Sequence, residues 1–81
     1  MQKLLYFHEK WCPNCEKMEP IVEQIRHQIP NEKINLEYEP TRAKEFNVTS
    51  IPTIILIEDG KEIKRLVGSR TQSQLINWLN G

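Results

Sequence analysis

The stretch KWCPNCEKMEP, Lys10 to Pro20, holds both cysteines of the chain, at positions 12 and 15, with Pro13 directly after the first. Proline disfavours helical backbone in the residue before it and is itself suited to the first position of a helix. The order Cys-Pro therefore predicts a helix that begins at Pro13 with Cys12 as its N-cap. At such a start the free backbone N–H groups point toward the cap, and the positive end of the helix dipole favours a thiolate over a thiol. Lys10, two residues earlier, adds positive charge nearby. A thiol moved from about 8.5 toward neutrality is ionised at working pH yet still nucleophilic, which thiol–disulfide exchange requires. Cys15 falls one turn further along, close enough to close a disulfide with Cys12, and is expected to be the more enclosed, resolving thiol.

Outward from this stretch the chain reads as regular structure throughout. Residues 3–8, KLLYFH, form an apolar and aromatic run without helical spacing, as in a buried strand. After Cys15, Met18, Val22, Ile25 and Ile29 recur at helical steps, so one helix is expected to run until just before Pro30. In KINLEY, Ile34, Leu36 and Tyr38 alternate with polar residues and suit a second strand over 33–38. After Pro40, TRAKEFNV reads as a short helix capped by Thr41. Two aliphatic runs flank Asp59-Gly60, a strong signal for a β-hairpin, and the first run, Ile54 to Ile57, is apolar enough to be covered on both faces. Thr71 or Ser69 caps a last helix that packs through Leu75, Ile76, Trp78 and Leu79. The expected fold is α/β: a βαβαββα order with a four-stranded mixed sheet flanked by three helices.

The 81 residues carry 11 acidic and 11 basic side chains, so residues 1–81 are expected to form a single domain, a monomer with no charge excess to draw nucleic acid or an anionic membrane. No apolar stretch at the N-terminus suits a signal peptide, and none elsewhere approaches a membrane span, which places the protein in the cytoplasm. Thiols there are kept reduced, so a lone cysteine pair is expected to be catalytic or metal-binding rather than a structural staple. Cys-x-x-Cys is also half of a zinc site, and His8 offers a third ligand. No fourth ligand has suitable spacing, because His27 lies several turns along the helix from Cys15. Redox chemistry is accordingly the expected use, with no metal.

Beyond the cysteines, the chain resembles the thioredoxin family. FHEKWCPNC is similar to that family's strand, loop and helix start, with Trp11 immediately before the first cysteine; Pro20 corresponds to the proline that kinks the active-site helix. SIPT resembles the family's Ile-Pro-Thr, Gly60 the hairpin glycine, and VGS at 67–69 the segment that completes the substrate groove. The resemblance covers nearly the whole chain from Leu4 onward and implies a thioredoxin-like fold that lacks the first strand and helix of full-length thioredoxins. It further implies that Pro52 is a cis-proline facing the cysteines, that Ile51 offers backbone groups to an extended substrate, and that Trp11, Pro13, Asn14, Ile51, Pro52, Val67 and Gly68 contact substrate.

Three departures stand out. Tyr6 occupies the position of the family's buried aspartate, which helps to deprotonate the resolving thiol, so that proton removal from Cys15 falls to water or to Lys33. His8 replaces an aromatic residue with a group able to titrate near neutral pH. Pro13-Asn14 between the cysteines differs from the Gly-Pro of typical thioredoxins and the Pro-Tyr of glutaredoxins.

The function implied is that of a thiol–disulfide oxidoreductase reducing protein disulfides. It would need no bound cofactor beyond the Cys12–Cys15 disulfide, would be recharged by an NADPH-dependent thioredoxin reductase, and would serve acceptors such as ribonucleotide reductase. Two other readings stay open: a glutathione-dependent, glutaredoxin-like reductase, and a redox-independent adaptor built on the same fold. Lys10, Lys33 and His8 are the candidates for tuning the thiol pKa values.

Overall fold

The computed structural model describes residues 1–81 and contains seven elements: β1 (Gln2–His8), α1 (Pro13–Ile25), β2 (Asn31–Asn35), α2 (Pro40–Glu45), β3 (Thr53–Glu58), β4 (Lys61–Val67) and α3 (Gln72–Asn80). The strands form one mixed sheet in the order β2-β1-β3-β4. β1 pairs parallel with β2 and antiparallel with β3, and β3 pairs antiparallel with β4. The α/β architecture with three helices is therefore the one expected.

Being interior to the sheet explains the composition of β1 and β3, since a strand covered on both faces has no use for alternating polarity. Leu4, Leu5, Tyr6 and Phe7 are all fully buried, and Ile54 to Ile57 are buried in sequence. Successive residues divide between two cores. Leu4, Tyr6, Ile54 and Leu56 pack with Met18, Val22 and Ile25 of α1 and Leu75 of α3. Leu5, Phe7, Ile55 and Ile57 pack with Ile34, against Phe46 and Val48 beyond α2. Hence α1 and α3 cover one face of the sheet and α2 lies over the other.

The hairpin turns at Asp59 (φ 52°) and Gly60 (φ 84°), the left-handed pair that a two-residue loop of type I′ demands. Thr71 caps α3: its side chain accepts from Gln74 N–H while the Gln74 side chain accepts from Thr71 N–H. No helix is long and apolar enough to cross a membrane.

Three boundaries differ from expectation. α1 stops at Ile25 instead of reaching Ile29; His27 N–H and Gln28 N–H bond three residues back, to Gln24 and Ile25, so the last turn tightens before Pro30. Ile29 still packs against the core, which is why its helical spacing misled. β2 runs 31–35 rather than 33–38, because the chain turns after Asn35, whose side chain accepts from Glu37 N–H at 2.8 Å. α2 is capped by Glu39 without a side-chain bond and starts at Pro40, so Thr41 already lies inside it.

Glu32 ties the edge strand β2 to its neighbours: its carboxylate accepts from Lys3 Nζ of β1 at 3.0 Å and from Arg42 Nη1 of α2 at 2.8 Å. The bonds from Arg42 and then Lys3 hold its carboxyl down from 4.5 to about 2. A depressed acid stabilises the fold fully above its unfolded pKa and loses that contribution as pH falls toward the folded value. Glu32→Gln should therefore lower the urea midpoint at pH 6, with the gap to wild type closing as pH drops from about 4.5 toward 2. A gap independent of pH would show that the ion pairs contribute nothing.

Candidate active site

Cys12 sits in the loop that follows β1, in extended backbone (φ −93°, ψ 110°), with Pro13 opening α1 behind it. Its Sγ accepts from Cys15 N–H at 3.1 Å, the side-chain bond of an N-cap, and its carbonyl accepts the first helical bond from Glu16 N–H at 3.1 Å. A sulfur acceptor here fills the place that Ser, Thr, Asp or Asn usually holds. Cys12 and Cys15 form a disulfide with their Cα atoms 5.1 Å apart. Both are buried, Cys15 at 2% exposure and Cys12 at 5%, so the second cysteine is only marginally the more enclosed.

Against Cys15 lies Tyr6. Its hydroxyl donates to the Cys15 carbonyl at 2.9 Å, and burial pushes its pKa up to about 12, so the phenol is a neutral donor at working pH. Two residues along β1, on the same side of the strand, His8 stacks on the Tyr6 ring with centroids 5.2 Å apart. Burial, then the charge of Lys33, lowers the His8 pKa against a smaller opposing pull from Glu9. His8 is thus a mostly neutral imidazole at pH 7.

The Ile51–Pro52 peptide bond, which leads into β3, is cis. Pro52 is buried and Ile51 half-buried. The Pro52 carbonyl accepts from Gly68 N–H at 2.9 Å, which joins the proline loop to the end of β4. Gly68 has φ 93°, a backbone that side-chain-bearing residues rarely adopt. Trp11 is 73% exposed and Val67 49%. Pro13 and Asn14 are exposed at the start of α1.

Lys10 and His8 line a cavity of about 360 Å³ that Cys15 also lines, together with Glu9, Glu16, Glu19, Asn35 and Tyr38. Lys33 does not line it; its ammonium is ion-paired with Glu19 of α1. Sequence reasoning passed over this cavity. Glu19 was open to discovery as the residue one turn after Cys15 on the same helix face, whereas Glu9, Asn35 and Tyr38 come from loops and strand ends that no periodicity links. No three His, Cys, Asp or Glu side chains come together as a metal-binding set.

The thioredoxin family profile matches residues 1–81. The chain belongs to the thioredoxin family. It is 35% identical over 80 residues to a thioredoxin of Chlamydia caviae, spanning 95% of this chain and 78% of that protein. A bifunctional thioredoxin reductase/thioredoxin of Mycobacterium leprae is 36% identical over 81 residues, covering 95% of this chain and 18% of that protein. Among solved structures, a single-site mutant thioredoxin from Halobacterium salinarum superposes with a TM-score of 0.88 at 27% identity, covering 98% of this chain and 72% of that one. The protein is accordingly a thiol–disulfide oxidoreductase of the protein disulfide reductase type, with the redox-active disulfide in its own chain.

Within this thioredoxin the Tyr6 hydroxyl is the one side-chain donor to the Cys15 carbonyl, and it fastens the first turn of α1 to β1. Tyr6→Phe deletes that donor and keeps the ring, a change expected to cost about 0.5–1.5 kcal/mol, the net worth of one hydrogen bond. Chemical denaturation of the oxidised protein should show that loss while the Cys12–Cys15 disulfide still forms; unchanged stability would mean the bond contributes nothing.

Proposed function

We propose that Cys12 is the attacking thiol and Cys15 the resolving thiol of a general protein disulfide reductase. The observation that carries this is the cap bond from Cys15 N–H to Cys12 Sγ, since the same donor and the same helix end stabilise the Cys12 thiolate once the disulfide is reduced. The thiolate attacks one sulfur of a substrate disulfide, forming a Cys12–substrate bond and expelling the other substrate sulfur as a thiolate. Cys15 then attacks Cys12 Sγ, which releases the second substrate thiolate and leaves Cys12–Cys15 oxidised. Two electrons have passed from the dithiol to the substrate.

Trp11, Pro13, Asn14, Ile51, Pro52, Val67 and Gly68 form the docking surface. Exposed apolar side chains at Trp11 and Val67 support it, as does the bond joining Pro52 to Gly68. An extended substrate segment pairs with Ile51 backbone groups as an added strand. Residues 1–81 act as a single monomeric domain in the cytoplasm. Electrons come from an NADPH-dependent thioredoxin reductase, a pairing supported by the mycobacterial relative whose name joins both activities. Ribonucleotide reductase is among the acceptors.

Insulin reduction tests this reading. Turnover should be fast with NADPH and thioredoxin reductase, slow with glutathione and its reductase, absent in Cys12→Ser, and halted at a trapped mixed disulfide in Cys15→Ser. Turnover with glutathione alone would overturn the assignment of the electron donor, and a mixed disulfide trapped on Cys15 would reverse the two thiol roles.

A further inference from the structure

Resolution of the mixed disulfide requires Cys15 to lose its proton, and neither Tyr6 nor Lys33 is free to take it. Tyr6 is a donor to the Cys15 carbonyl and stays protonated at working pH. Lys33 is committed to Glu19. The cavity that Cys15 lines is walled instead by charged and titratable groups: His8, Glu9 and Lys10 from the end of β1 and the segment after it, Glu16 and Glu19 from α1, and Tyr38 from the turn after β2. Its volume of about 360 Å³ has room for several water molecules at roughly 30 Å³ each.

Among these groups Glu9 differs in one respect. Its Oε2 is buried and has no hydrogen-bond partner in the protein, one of two buried side-chain polar atoms so placed. A buried carboxylate oxygen without a donor is costly, and its retention calls for an explanation in terms of a water or a proton that visits it. Glu16 is exposed, and Glu19 already faces an ammonium. His8, on the same wall, is stacked on the Tyr6 ring.

We propose that Glu9 is the proton acceptor for Cys15 during resolution, reached through water in this cavity. As Cys15 Sγ attacks Cys12 Sγ, its proton passes by way of water to Glu9 Oε2, the Cys12–Cys15 bond forms, and the Cys12–substrate bond breaks with its electron pair leaving on the substrate sulfur. That thiolate is protonated from solvent. In the reverse direction, when the disulfide is reduced, Glu9 returns the proton to Cys15. The assignment rests on Cys15 being the resolving thiol.

Reduced protein mixed with dithiobis(nitrobenzoate) releases one coloured thiolate when Cys12 attacks and a second when Cys15 resolves, so the two phases separate the two thiols. Glu9→Gln, which keeps the shape and removes the basicity, should slow the second phase roughly a hundredfold at pH 7, the low end for a positioned base, and leave the first phase within about twofold. The deficit should shrink as pH rises and Cys15 ionises unaided, and Glu9→Asp should recover part of the rate. A second phase within about twofold of wild type, or a deficit that does not vary with pH, overturns the proposal, as does a slow second phase in His8→Gln with a normal one in Glu9→Gln. Persistence of the second phase in Cys15→Ser would instead remove the resolving assignment beneath it.

Discussion

A single N–H···S contact at the start of one helix organises this protein. Cys12 stands where a hydroxyl or carboxylate normally caps, and it does so because Pro13 favours extended backbone before it and helical backbone after it. The cap has meaning only if the helix end is fixed, and the packing of α1 fixes it. Cys15, Met18, Val22 and Ile25 are buried along one stripe of α1, and the last three pack against Leu4 and Tyr6 of β1 and Ile54 and Leu56 of β3. Because β1 and β3 are interior strands, each paired on both edges, the strand from which the Cys12 loop departs is itself anchored. The reactive sulfur is thus held in place by core packing rather than by contacts of its own loop.

The same arrangement divides polar chemistry around the disulfide. The docking surface proposed for substrate draws on exposed Trp11 and Val67 and on the Ile51–Pro52 loop, tied to Gly68 by a backbone bond. Under α1 the sheet presents Tyr6, a neutral phenol bonded to the Cys15 carbonyl, and next to it a cavity whose wall carries His8, Glu9 and Glu19. A neutral hydroxyl beside the cysteines holds backbone in place without adding charge. Ionisable groups are displaced to the cavity wall, where water can reach them.

Much of this was legible in the sequence because each signal had a local cause. Asp59-Gly60 names its own turn, the unbroken apolar runs of β1 and β3 name interior strands, and Cys-Pro at 12–13 names a helix start. What escaped was set by contacts that spacing does not encode. Ile29 has helical spacing yet belongs to the turn before Pro30, since apolar burial does not require helical backbone. The end of β2 depends on an Asn35 side chain bonding two residues ahead, a choice that competes with the strand and that alternation of Leu36 and Tyr38 conceals. Glu9 carries no periodic signature at all; its significance comes from the fold bringing it to the same cavity as Cys15.

The central claim is that the cap position stabilises the Cys12 thiolate, and the ultraviolet absorbance of the thiolate in the reduced protein, followed against pH in Cys15→Ser, measures it directly. The account predicts a single titration well below the roughly 8.5 of a free cysteine. A midpoint at or above that value would mean that the helix end does nothing for the sulfur it surrounds.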